Sequence, residues 1–143
     1  MAITSAICNS FKQEILEAEH NFTASTGNTF NLALYDSDAD LTKSTTAYTT
    51  SEELAATGGY TAKGNALTSV TPVLSTDTAI CDFANISWTS ASFTARGCLI
   101  FNDDNSDTSV CAIDFGGDKT VTSGTFTVEF PAAAAATAII AIA

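Results

Sequence analysis

Short runs of alternating apolar and polar residues dominate the second half of the chain, and clusters of Asn, Asp, Ser and Gly separate them. Such runs are typical of antiparallel β-strands that bury one face. Four runs are rich in the β-branched and aromatic residues that favour strands. They cover residues 78–83, 92–101, 108–115 and 125–130, and a shorter strand is centred on Ile86 and Trp88. Gly116-Gly117 and Ser123-Gly124 are predicted to be turns.

The first half begins with a different period. Apolar residues recur at helical spacing at Ile7, Phe11, Ile15 and Ala18. This pattern predicts one amphipathic helix over about residues 5–20, with Thr4 or Ser5 as its N-cap.

Strand periodicity follows this helix. Residues 29–35 alternate, which places Phe30, Leu32 and Leu34 on one face. The segments 60–63 and 67–74 are candidate strands, and Pro72 indicates a sheet edge or a bulge. The remaining predictions are a polar connection over 36–50, a helical turn at 51–54, a linker or short helix at 132–136 and a last strand at 138–142.

About eight short strands with regularly spaced turn signals define the expected fold class. The chain is predicted to be mainly β, an antiparallel β-sandwich or jelly-roll-like fold with one N-terminal α-helix. Its 143 residues fit one domain, with strands from about 29 to 142.

One hairpin can be predicted in register. If Asn102 pairs with Thr108, Arg96 lies opposite Asp114, and the opposite charges stabilise the strand pair. Cys98 then points away from the core face, and the Arg96 face is too apolar to meet water alone. We therefore expect another element or a partner chain to cover it. The predicted core face holds Phe93, Ala95, Leu99, Phe101, Cys111, Ile113 and Phe115.

The charge and the cysteines exclude several kinds of site. A net charge of -11 with five Lys and Arg residues argues against nucleic-acid binding and favours a soluble, self-repelling surface. No apolar run reaches the ~20 residues of a membrane span, and no secretory signal is predicted at the start. The four cysteines show no CxxC spacing, so buried free thiols are favoured over zinc ligands or disulfides.

Candidate chemical residues are few. His20 is expected to cap a helix end or lie on the surface. The run from Asp36 to Asp40 resembles the start of a calcium loop but departs from it at Leu41 and Ala47, which favours a solvated loop. Trp88 is expected to anchor the core or an interface. The sequence therefore predicts no enzyme, no catalytic residue, no metal and no cofactor.

Blocks of sequence along nearly the whole chain resemble small virion structural proteins of tailed bacteriophages. The chain ends IIAIA where many such proteins end IIRIA. The blocks include residues 8–16 (CNSFKQEIL), 20–22 (HNF), 29–35 (TFNLALY), 59–64 (GYTAKG), 93–97 (FTARG), 114–119 (DFGGDK) and 126–131 (FTVEFP).

The resemblance implies a non-enzymatic part of the phage particle, made in the bacterial cytoplasm. The leading expectation is a homotrimeric capsid decoration or cement protein on the outer head that stabilises the major capsid protein lattice. The first alternative is a tail, baseplate or fibre-tip protein that binds a host receptor, which exposed Tyr35, Tyr48 and Tyr60 would favour. A carbohydrate-binding or hydrolytic module is a third class. Candidate interface residues are Phe11, Ile15, Trp88, Arg96, Asp114, Ile139 and Ile140.

Overall fold

The computed structural model describes residues 2–143 and is mostly β, with two antiparallel sheets and one short helix, consistent with the predicted β-sandwich. One sheet has five strands in the order β1-β7-β6-β2-β3, and the other has three in the order β4-β5-β8. The elements are β1 Ala6–Ile7, α1 Asn9–Leu16, β2 Phe30–Tyr35, β3 Asn65–Ala66, β4 Ser69–Ser75, β5 Thr78–Phe83, β6 Ile86–Asn102, β7 Thr108–Val128 and β8 Ile140–Ile142.

Two very long strands replace four predicted ones. β6 has 17 residues and β7 has 21, and they pair with each other along most of their length. The predicted turns at 116–117 and 123–124 are wrong, because the chain stays in the ladder there and takes up extra residues as bulges. Gly116 and Ser123 both adopt positive φ inside β7. The Gly-Gly and Ser-Gly pairs therefore mark bulges in this strand, although such pairs also occur in turns.

The predicted hairpin register is correct at its tip and wrong beyond it. Asn102 lies opposite Thr108 as expected, but a bulge between Ile100 and Phe101 shifts the pairing by one residue. As a result, Gly97 rather than Arg96 lies opposite Asp114. A one-residue shift moves side chains to the other face. The predicted core face is therefore mixed, because Cys98, Ile100, Cys111 and Ile113 share one face while Leu99, Phe101 and Ala112 share the other.

Apolar side chains are buried on both faces of the five-stranded sheet. The larger cluster lies between the two sheets and includes the predicted trio Phe30, Leu32 and Leu34. The smaller cluster lies on the opposite face, where the 36–50 connection supplies Ala39 and Leu41. The face expected to need cover carries Cys98, Ile100 and Val110, which lie in the cluster between the two sheets, so other elements of this same chain cover it.

The N-terminal helix is shorter than the period predicted. α1 runs from Asn9 to Leu16, and its N-cap is Cys8, whose side chain makes no capping bond, so the predicted Thr4 or Ser5 cap is wrong. Residues 6–7 form β1 against β7, because backbone pairing with the sheet satisfies them better than a helical turn would. Among residues 2–143, no helix combines the length and apolar character required to cross a membrane.

Smaller segments divide between confirmed and corrected predictions. β4 is an edge strand with a register shift between Val70 and Val73, as Pro72 indicated. The linker before β8 is confirmed, and residues 51–52 form a turn, after which Glu53 makes an antiparallel bridge with Tyr35. Residues 60–63 are not a strand, because Lys63 and Gly64 both take positive φ and make a tight turn into β3.

His20 is buried, so its predicted surface or capping role is wrong. Its Nε2 lies 2.7 Å from Glu14 Oε2, and its Nδ1 lies 3.1 Å from the amide nitrogen of buried Asn102. The same amide nitrogen donates to Asn28 Oδ1 at 3.2 Å. Since buried polar groups are costly unless they are paired, this network fixes α1 and the 20–28 loop against the hairpin tip.

The turn at Gly64 yields a stability prediction. A Cβ at Gly64 would collide with the backbone carbonyl of Leu32, whereas a Cβ at Gly116, also at positive φ, would meet open space. We expect Gly116→Ala to lower the free energy of unfolding by about 1–2 kcal/mol from backbone strain alone. Gly64→Ala should lower it by clearly more, since strand β2 must also move. Urea denaturation of both variants checks this, and equal losses would contradict the predicted collision.

Candidate docking surface

An open apolar groove lies along β7, with a volume of about 830 Å³. Its walls come from β7, from β1 and from the segment that leads to β8. The apolar lining residues are Ala6, Ile7, Cys111, Ala112, Ile113, Phe115, Val121, Phe126, Val128, Phe130, Pro131 and Ile139.

Bending of β7 creates this groove. Extra residues enter the ladder between Asp114 and Lys119, and further register shifts occur around Ala91 and Gly124. Bulges bend strands and let them change sheets. The result is that the ring centroid of Phe126 lies 6.2 Å from that of Phe115, although eleven positions separate them in the chain. The two limbs of β7, which are the parts of the strand before and after the bulge between Asp114 and Lys119, therefore face each other across the groove.

The backbone edge of β7 beside the groove has no strand partner over most of its length. β1 pairs only with Cys111 and Ala112, and within residues 2–143 no other strand joins β7 on the side away from β6. Asp114 N donates to Ser5 Oγ just beyond β1. From Phe115 to Val128 no strand joins this edge, and the backbone N–H groups of Gly116 and Ser123 donate to side chains of the same chain. Such an edge presents N–H and C=O groups that are ready to pair with another strand.

The electrostatic character of the groove is nearly neutral inside an acidic protein. Lys119 and Glu129 are the charged residues in its lining. Thr120 and Thr127 also line the groove, and their hydroxyls lie 2.8 Å from that of Thr94 and 2.7 Å from that of Ser87. The arrangement suits apolar side chains and a peptide backbone, and it assembles no set of catalytic groups.

The predicted interface residues separate into three groups. Phe11, Trp88 and Ile140 lie in the core between the sheets, and Ile15 packs against that core while half-buried. Ile139 alone among them lines the groove. Arg96 and Asp114 form an ion pair at the surface.

The Arg96–Asp114 pair holds the ribbon at the bulge of β7. Arg96 Nε lies 2.9 Å from Asp114 Oδ1, and both side chains are partly exposed. The hydrogen bond from Arg96 lowers the pKa of Asp114, and a second bond from Gly116 N adds to this effect. The predicted charge pair is therefore formed, although the residue opposite Asp114 in the ladder is Gly97.

A second apolar surface was missed by the sequence reasoning. Leu74 and Ile142 both pair with Ala79, so they share one face at the distal end of the three-stranded sheet, and both are exposed. Val73 is 55% exposed and Leu16, at the end of α1, is 87% exposed. The sequence of β4 and β8 shows that these residues are apolar, but its periodicity does not show that their side chains are left exposed to solvent.

Carboxylates of Asp36, Asp38 and Glu52 approach one another within 4.8 Å. Two of them belong to the calcium-like run, and Glu52 comes from the 51–54 turn. Asp36 Oδ1 already accepts a hydrogen bond from Asp38 N, and the group is largely exposed. These features match the predicted solvated loop.

The three tyrosines are not the exposed aromatics that receptor binding would favour. Tyr35 and Tyr60 are buried, and Tyr48 is half-buried. The Glu53 carboxylate accepts bonds from Tyr48 Oη at 2.5 Å, Tyr60 Oη at 2.7 Å and Lys63 N at 2.7 Å. Lys63 Nζ in turn pairs with Asp103 and Asp107 of the hairpin tip. This network ties the 48–63 loops to the tip.

Comparison of the chain with family models, with curated proteins and with solved structures finds no match.

The four cysteines are free and buried, as the sequence predicted. Burial raises the pKa of the Cys81 and Cys111 thiols to about 12, and it also raises the pKa of Cys8 and Cys98. The reactive thiolate is therefore scarce at neutral pH. We expect all four to resist iodoacetamide in the native protein at pH 8 and to react after unfolding, as measured by intact mass. Rapid native labelling of any cysteine would contradict its burial.

The tyrosine network predicts a loss of stability at high pH. Burial and then the Glu53 carboxylate raise the pKa of Tyr48 to about 12, above the ordinary value near 10. The folded protein therefore holds this proton longer, so the stabilisation is present below about pH 10 and is lost as pH rises towards 12. We expect the fall in unfolding free energy above pH 10 to be shallower in Tyr48→Phe than in the unaltered chain. Identical slopes in denaturant titrations would refute this.

Proposed function

We propose that the chain is a non-enzymatic capsid decoration or cement protein of a tailed bacteriophage, which binds the outer surface of the head and stabilises the major capsid protein lattice. The observation that carries the proposal is the open apolar groove beside the bare edge of β7. Large exposed apolar surfaces on soluble proteins mark sites of association. A groove of this kind supports a protein that works by docking.

The groove is extended, because it involves β7 on both sides of its bulge, the β1 segment and the chain around Phe130 and Ile139. Specific interfaces bury roughly 1,200–2,000 Å² in total. A lattice subunit bound at the groove would therefore have to cover a wide rim around it as well, and the many copies of a decoration protein would repeat this contact over the whole head.

The distribution of charge supports an outer position on the head. The net charge is -11, and the two cations that make salt bridges, Lys63 and Arg96, are already engaged by aspartates of the same chain. A surface of this kind repels packaged DNA and other copies of itself until the docking surface is covered. These properties suit a part that must coat a particle without binding its genome.

The sequence resemblance to small phage virion proteins supports the same function and leaves the tail alternative open. Exposed tyrosines were the feature that would favour receptor attachment, and two of the three are buried while the third is half-buried. No specific contact or surface therefore favours the tail function over the head function. The homotrimer stays a prediction, which native mass spectrometry of the purified protein checks.

Copy number per particle tests the proposal. Quantitative mass spectrometry of purified virions should give a count comparable to that of the major capsid protein. A few to a few tens of copies, in line with tail symmetry, would favour the tail alternative. Complete absence from particles would refute both virion functions. As a second readout, heads that lack the protein should release DNA at lower temperature than decorated heads.

A further inference from the structure

We infer that the β7 groove binds an extended, uncharged or basic segment of a partner protein, which joins the bare edge of β7 as an added strand. The inference deepens the proposed function by naming the docking chemistry, and in that respect the inference rests on the proposed function. The chemistry itself is a property of the isolated chain.

The backbone determines the type of occupant. From Phe115 to Val128 the outer edge of β7 has no strand partner within residues 2–143. An occupant that lies against this edge must satisfy its N–H and C=O groups, since polar groups buried without a partner are costly. A peptide strand does so through ladder hydrogen bonds, as in strand addition to an exposed sheet edge. An acyl chain would bury the same groups without satisfying them.

The side chains determine what the added strand must carry. Ile113, Phe115, Val121 and Phe126 are half-buried and line the groove beside the bare edge. Alternate residues of a strand point to the same face. A segment with apolar residues at every second position would place them against these four side chains, and strands of five or six residues are of ordinary length.

The chain itself is a poor source of this strand. β1 and β3 have two residues each and β8 has three. β4 is longer, but Pro72 within it has no N–H to donate to the β7 edge. The remaining self-contact, β7 against β7, would bring together two copies that each carry a charge of -11.

The charges near the groove favour a basic or uncharged partner. Glu129 lies in the lining and is exposed, and Asp114 and Asp118 flank the bulge of β7 with Arg96 between them. Lys119 is the cation of the lining. Because the surrounding potential is negative, an acidic segment would be repelled and a basic one attracted during encounter.

The experiment uses the purified full chain and a random library of dodecapeptides selected by messenger-RNA display. We expect selected peptides to alternate apolar residues and to carry a net charge of zero or above. Their affinities are then measured by fluorescence anisotropy. Val121→Lys, in the groove, should weaken binding by roughly tenfold or more, which corresponds to about 1.4 kcal/mol. Val73→Lys makes the same change on exposed β4 and should leave the affinity within about twofold of the original.

A proline at the centre of the selected peptide should abolish binding, because it removes a ladder donor. Thermal melts establish that each variant is folded, and Thr125→Lys, an exposed position of the lining, replaces Val121→Lys if the latter does not fold.

Four outcomes would overturn the inference. The first two are that no selected peptide depends on the groove residue, or that the proline-containing peptide binds fully. The other two are that sedimentation shows self-association of the chain that the groove variant loses, or that palmitate displaces the bound peptide. Selection of acidic peptides would overturn the charge requirement. If the groove binds such peptides but the protein is absent from virions, this inference stands and the proposed function is refuted. The two failures are therefore distinguishable.

Discussion

The pairing of β6 with β7 is the interaction on which the rest of the structure depends. The hairpin supplies two adjacent strands of the five-stranded sheet, and β2 and β1 add to its two edges near the tip. Its far limb carries Ile86, Trp88 and Val128 into the core that is shared with the second sheet. One antiparallel pair thus contributes to the larger sheet and to the core between the two sheets, so the packing of both layers depends on its register.

Departures from regular pairing give the hairpin its shape and create the groove along β7. Regular strands of 17 and 21 residues would project far beyond a domain of this size. Bulges near Gly116, Ala91 and Gly124 bend the ribbon back over the core instead. The bend shelters Phe93 and Trp88, and it leaves β7 as a long edge with an apolar groove beside it. Edges of this kind promote association unless they are covered, which is why we propose the groove as the docking surface.

Polar interactions hold the hairpin tip while apolar contacts hold its stem. Asn102, fully buried, joins His20 and Asn28, and Lys63 clamps Asp103 and Asp107 from the other side. Glu53 connects the same lysine loop to two tyrosines. The loops around the tip are therefore fixed by directional bonds, because they contribute few apolar side chains of their own. The groove is formed by other residues, and its lining includes the half-buried side chains of Phe115, Val121 and Phe126.

The sequence by itself determined the strand content, the sandwich class, β5 and the pairing of Asn102 with Thr108, because period-two alternation and β-branched residues report local preference directly. It also identified Pro72 as an edge or bulge and the cysteines as buried thiols. It could not determine the bulge between Ile100 and Phe101, the helix shortened to Asn9–Leu16 or the burial of His20. Each of these depends on a distant partner: β2 and β7 select the register, β7 takes residues 6–7 as a strand, and Asn102 satisfies the imidazole. The groove likewise exists only after β7 has bent, so tertiary structure alone decided which apolar residues of β7 line an open surface.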